Sequence, residues 1–142
     1  MLRVLVPITD SSEVECAAKH VIERYRDQQV ALFLVNVQLP ISRFVTRFVN
    51  RRQLEEFHRE SGMQVLQPLA DKLDAAGISY QTRILVGLSA ETIAQFAREH
   101  YCDQIMVPRH KGIFESLGLG SIGSQLRHLI GAEGRCEVSE VF

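Results

Sequence analysis

The sequence predicts an α/β domain: one open, parallel sheet of five strands with helices on both faces. Three observations predict it. Short apolar runs alternate with segments of helical period along the whole chain, in the order β-α-β-α-β-α-β-α-β. Two of those runs, LRVLVP and VALFLVNV, are almost continuously apolar, as strands covered on both faces are. The 142 residues, 46% hydrophobic and 23% charged, suit one domain with one core, so residues 1–142 are read as a single unit.

Each element has its reason. Leu2 to Pro7 is a strand that begins at once. In TDSSE, Asp10 is a good N-cap and Glu13 is spaced to reach back to it as a capping box. Val14, Ala17, Ala18, Val21, Ile22 and Tyr25 then recur at helical spacing, and that helix ends near Arg26 and Asp27. Val30 to Val37 is the second strand, broken by Gln38-Leu39-Pro40. Residues 41–50 read either as a short helix or as a mobile segment. Arg51 to Ala76 is helical, with Leu54, Phe57, Met63, Leu66, Leu69, Ala70 and Leu73 in its stripe. Pro68 predicts a kink or a break, and Gly77 supplies the stop.

Ile78 to Val86 partly alternates polar with apolar, which suits an edge strand. Ser89 reads as the N-cap of a helix running to about His100. Ile105-Met106-Val107 is the fourth strand, Ile122 to Ile130 the last helix, and RCEVSEVF a polar fifth strand. In such sheets ligands sit beyond the carboxyl ends of the strands, where TDSS and PRHKG follow the first and fourth.

Composition excludes several classes. A net charge of -1 gives no pull toward nucleic acid or an acidic membrane. No apolar run reaches the roughly 18 residues that span a bilayer. MLRVLVPITD is too soon polar for a signal peptide. Cys16, Cys102 and Cys136 are odd in number and far apart, so they read as buried or half-buried thiols in a reducing cytoplasm. The five histidines show no ligand spacing, so no metal site is expected. No G-x-S-x-G elbow is present, and Ser11, Ser12 and Ser121 read as helix-start residues, so no catalytic residue is assigned.

Several motifs, in order, resemble one family. VPITDSSEVECAAKHVI resembles the opening of the universal stress proteins, V-P-x-D-x-S. LFLVNV is similar to their second strand. GLSAETIAQFAREHYCDQIMV resembles their G-x-P-A-E-x-I helix and following strand, and GLGSIGSQLRHLI their L-G-S-V helix start. The resemblance spans Leu2 to about Val141. It implies a Rossmann-like fold of the adenine nucleotide alpha hydrolase type, strand order 3-2-1-4-5, in a cytoplasmic stress-response module.

One group of that family binds ATP or AMP through G-x-x-G, nine residues, then G-[S/T]; the other group lacks the motif. Glycines let backbone N–H groups approach a phosphate, and a helix N-terminus adds free donors and a favourable dipole. Here the family's aspartate falls on Thr9, a poorer acceptor. Val37 matches the end of the second strand, whose backbone contacts adenine in the binding group. Gly120 and Ser121 match G-[S/T]. The two earlier glycines fall on Val107 and His110 by counting back, or on Pro108 and Lys111 by the ungapped strand, and neither placement finds one. Proline offers no N–H. Arg109, His110 and Lys111 instead bring cationic side chains that can hold phosphate directly.

The resemblance therefore implies an interaction or regulatory module with a degenerate nucleotide site. The competing implication is an ATP- or AMP-binding module, with Mg if ATP, that grips through Arg109, Lys111 and the Gly120-Ser121 helix start and at most hydrolyses ATP weakly. An unidentified protein partner and a homodimer are also implied, without nucleic acid or membrane. Glu137 and Glu140 replace apolar residues of the family's dimerising last strand, and like charges near a dyad weaken pairing. SRFVTRFVNRR, Ser42 to Arg52, is read as a helix packed on the domain by Phe44, Val45 and Phe48, with its arginines in solvent; a partner surface or a ligand lid is the other reading.

Overall fold

The structure, a computed structural model, describes residues 1–108, 122–131 and 136–140. Its strands are β1 (Leu2–Pro7), β2 (Val30–Gln38), β3 (Gln81–Val86), β4 (Gln104–Val107) and β5 (Glu137–Glu140). Its helices are α1 (Val14–Tyr25), α2 (Arg43–Thr46), α3 (Arg51–Ala75), α4 (Ser89–Glu99) and α5 (Ile122–Ile130). The five strands form one sheet in the order β3-β2-β1-β4-β5, and every neighbouring pair is parallel. The predicted architecture is the observed one.

The pleat splits the core into two layers. Val4, Val6, Leu32, Leu34 and Met106 face one side, where α1 and α3 cover them with Ala17, Val21, Leu66, Leu69 and Leu73. Leu5, Phe33, Val35, Ile105 and Val107 face the other, under Ile93, Ala94, Ala97 and Leu126 of α4 and α5. Burying each such aliphatic side chain contributes about 1.5–3 kcal/mol, so the three central strands anchor the fold. Tyr25 adds a directed link: its hydroxyl donates to Gln104 Oε1 at 2.7 Å, tying α1 to β4.

Local signals explain the element ends. α3 starts in a capping box: Asn50 Oδ1 accepts from the Gln53 amide at 2.8 Å, and Gln53 Oε1 accepts from the Asn50 amide at 3.0 Å. It ends in a Schellman turn. Gly77 sits at φ +72 and donates to Asp74 O, while Ile78 donates to Leu73 O.

Of the kink or break expected at Pro68, the break is absent: α3 runs unbroken from Arg51 to Ala75 with Pro68 inside it. Pro68 and Gln64 are both exposed, so water serves the freed carbonyl while Leu66, Leu69, Ala70 and Leu73 hold the buried side. Ser89 is the first residue of α4 rather than its cap. Leu88 is the capping residue and offers no side-chain bond. Its backbone carbonyl accepts from Thr92 instead.

The reading of the Ser42–Arg52 segment is corrected. Phe44, Val45 and Phe48 are 66%, 47% and 75% exposed and do not pack on the domain. A helix of one turn cannot present a continuous apolar stripe, so the rings satisfy each other. Phe44 and Phe48 meet edge to face at 6.0 Å, and the Arg47 guanidinium lies 5.3 Å from the Phe44 ring centre.

Candidate functional site

The carboxyl end of β1 is the place to examine. The last β1–β2 pair is Pro7 with Val35, and the Ile8 amide still donates to Val35 O at 2.9 Å. Thr9 lies two residues past the end of β1, and Val37 two residues further along β2. In a parallel ladder a residue's amide and carbonyl point to the same side, and successive residues alternate. Since Val35 O faces β1, the main-chain groups of Val37 face the β1 side too, past the point where β1 has ended. Gln38 O faces the opposite way and accepts from Gly87 at 3.0 Å.

Thr9 is exposed, yet its polar groups are engaged. Its amide donates to Glu13 Oε2 at 2.9 Å and its hydroxyl to Glu13 Oε1 at 2.7 Å. Glu13 is only 6% exposed, and these bonds help hold its carboxylate at the mouth of the sheet. The expected capping box is therefore displaced by one residue: Glu13 reaches back to Thr9, not Asp10. Asp10 keeps its own capping role, accepting from the Ser12 amide at 2.8 Å.

Sequence reading passes over one further residue. Asn36 is 2% exposed, donates through Nδ2 to Ile8 O at 2.8 Å, and accepts from Gln38 Nε2 at 2.6 Å. It fixes the chain where β1 hands over to the Thr9 turn. A lone amide inside VALFLVNV was the available signal.

On the β4 side, Val107 and Pro108 are buried. Arg109, Lys111, Gly120 and Ser121 lie outside the described residues, so of the candidate set the structure places Thr9 and Val37. A cleft of about 590 Å³ opens elsewhere, between α4 and α5, lined by residues such as Ser89, Glu91, Gln125 and His128 and by neither Thr9 nor Val37.

The three thiols are free. Cys102 is buried and Cys136 half-buried, but Cys16 is exposed, because it falls on the solvent side of α1 beside Glu15. Burial pushes the Cys102 thiol up to about 11 and Cys136 up to about 12. Among the described residues no group of three or more His, Cys, Asp or Glu side chains could hold a metal ion. Among the same residues no helix is long and apolar enough to cross a membrane.

A family model for the universal stress proteins matches residues 1–130. The chain belongs to the universal stress protein family. Solved structures agree on the fold. A universal stress family protein from Burkholderia pseudomallei is 22% identical, covers 98% of this chain and 94% of its own, and superposes with a TM-score of 0.67. An Arabidopsis thaliana universal stress protein with AMP bound is 15% identical, covers 100% and 93%, and gives 0.65. The Archaeoglobus fulgidus universal stress protein in complex with dAMP is 15% identical, covers 97% of each chain, and gives 0.62. No curated protein sequence matches the chain significantly.

Proposed function

We propose that this universal stress protein is a non-enzymatic regulatory or interaction module whose nucleotide site is degenerate. The observation that carries the reading is the Thr9–Glu13 pair. Where the binding group of the family presents an aspartate to the nucleoside, this chain presents a hydroxyl whose proton is already given to Glu13. Pro108, buried at the end of β4, offers no N–H to an anion, and no glycine stands at 107, 108, 110 or 111. Free thiols suit a reducing compartment such as the cytoplasm. Partners, a homodimer through β5 included, belong to this proposal.

A second reading has one observation in its favour. The main chain of Val37 faces the space beyond β1, as purine contact requires. With AMP and dAMP held by similar folds, an adenylate gripped by Arg109, Lys111 and the Gly120-Ser121 helix start remains the competing function. Thermal shift with ATP, ADP and AMP, with and without magnesium, decides between them. The degenerate site predicts an unchanged melting temperature at millimolar nucleotide. Binding a hundredfold above Kd would add about 2.7 kcal/mol, a shift of several degrees. If a shift appears, Lys111→Ala and Arg109→Ala should abolish most of it, and the second reading takes over.

A further inference from the structure

A second site lies on the opposite flank of the sheet from β5, between α3 and the free edge of β3. A groove of about 420 Å³ opens there, lined among others by His58, Arg59, Met63, Arg83, Ile84 and Val86. That volume falls within the range of small-molecule sites. His58 is in the lining and 6% exposed; its Nδ1 is sealed from the groove as it is from solvent, so the rest of the ring makes any contact with the groove.

The walls and the rim differ in chemistry. Met63 and Ile84 are half-buried, and Val86 is 49% exposed, so the wall presents apolar surface to solvent. Gly62, one position from Met63, lets α3 lie against Ile84; a methyl group there would meet Ile84 Cδ1 at 2.5 Å. The rim is cationic. Arg59 is exposed and has no acidic partner among the described residues. Arg83 wraps the sheet edge, donating to Thr82 O at 2.9 Å and Gln81 Oε1 at 2.7 Å, and keeps its charge. The one acid of the lining, Glu55, pairs with Arg51 at 3.1 Å.

We propose that this groove binds a small amphipathic carboxylate, its apolar body against Met63, Ile84 and Val86 and its head group on the Arg59 guanidinium, beside the His58 ring. A planar carboxylate matches the fork of an arginine. The apolar wall disfavours a free inorganic anion, which would leave Ile84 and Val86 facing water. The site is independent of the β1–β4 mouth, since Thr9 and Val37 do not line it.

The test uses the full chain, labelled for NMR at its histidine rings. It is titrated with sodium benzoate and sodium hexanoate, and with benzamide as the neutral comparator. Either acid should shift the His58 ring resonances saturably by about ten millimolar, with benzamide at least about tenfold weaker, as loss of a charge-assisted bond implies. Arg59→Ala, at an exposed position that does not threaten folding, should weaken the acid about tenfold, and Lys19→Ala, at an exposed position on α1, should leave it unchanged. The proposal is overturned if neither acid moves His58 saturably, if benzamide binds as well as benzoate, or if Arg59→Ala binds like the parent.

Discussion

At the scale of single residues, two polar decisions shape the mouth of the sheet. Glu13 satisfies both the amide and the hydroxyl of Thr9 from a nearly sealed position. Glu13→Ala leaves the Thr9 donors without this acceptor, and urea unfolding should show a loss of about 1–3 kcal/mol. Tyr101 makes a different decision. It sits at φ +53 after α4, where its amide donates to Arg98 O and the next amide, of Cys102, to Ala97 O. That is a Schellman turn with tyrosine where glycine is at ease. The conformation costs an L-residue about 1–2 kcal/mol, and a side chain 79% exposed returns little of it. Tyr101→Gly should therefore stabilise the protein by about 0.5 kcal/mol after the extra freedom of the unfolded chain is subtracted, read as a rise in melting temperature. A fall would mean that the ring makes contacts its exposure hides. Neither feature could be read from the sequence. Glu13 bonds to Thr9, one residue before the obvious cap Asp10, and nothing in REHYCD marks Tyr101 for a positive φ.

At the scale of elements, legibility followed the strength of the local signal. Continuous apolar runs placed β1 and β2, and the stop at Gly77 placed the end of α3, because a positive φ there needs glycine. The start of α3 was placed at Arg51, but its cap was hidden. NRRQ reads as a charge run, and only the reciprocal Asn50 and Gln53 bonds reveal a cap. Asn50→Ala should cost about 1 kcal/mol, with hydrogen exchange rising first in the opening turn of α3. Protection spread evenly along the helix would contradict a local cap. At Pro68, of the kink or break the sequence suggests, the break does not occur, since four buried side chains hold one face and the proline stands in water. The α2 segment misled because its Phe and Arg spacing imitates a packed stripe, while the helix is a single turn.

At the scale of the whole molecule, the parallel sheet and its two-layer core followed from alternation of elements and right-handed crossovers, the strand order was what the family resemblance implied, and all are observed. Of the six candidate site residues the described structure places two, Thr9 and Val37, beyond the end of β1, and side-chain partners such as Asn36 come from tertiary contact alone. The same core sets how the molecule meets alkali. The Cys102 and Cys136 thiols are raised, by burial first, from 9.0 to about 11 and about 12, and burial raises Tyr25 as well. The sign is fixed by linkage: a folded-state value above the unfolded one means the unfolded chain releases protons first. The stability these groups contribute is thus intact below about pH 9 and drains away as pH rises through the folded values. Urea midpoints should stay level from this cause between about pH 7 and 8.5, then decline, and Cys136→Ala should decline less steeply. Native alkylation with iodoacetamide near about pH 8 should label Cys16 well before the other two thiols, because the thiolate is the nucleophile and buried thiols hold their protons. Equal labelling of all three under conditions where the fold persists would show that the layer beneath α4 and β5 opens to solvent, and the alkaline decline should then vanish with it.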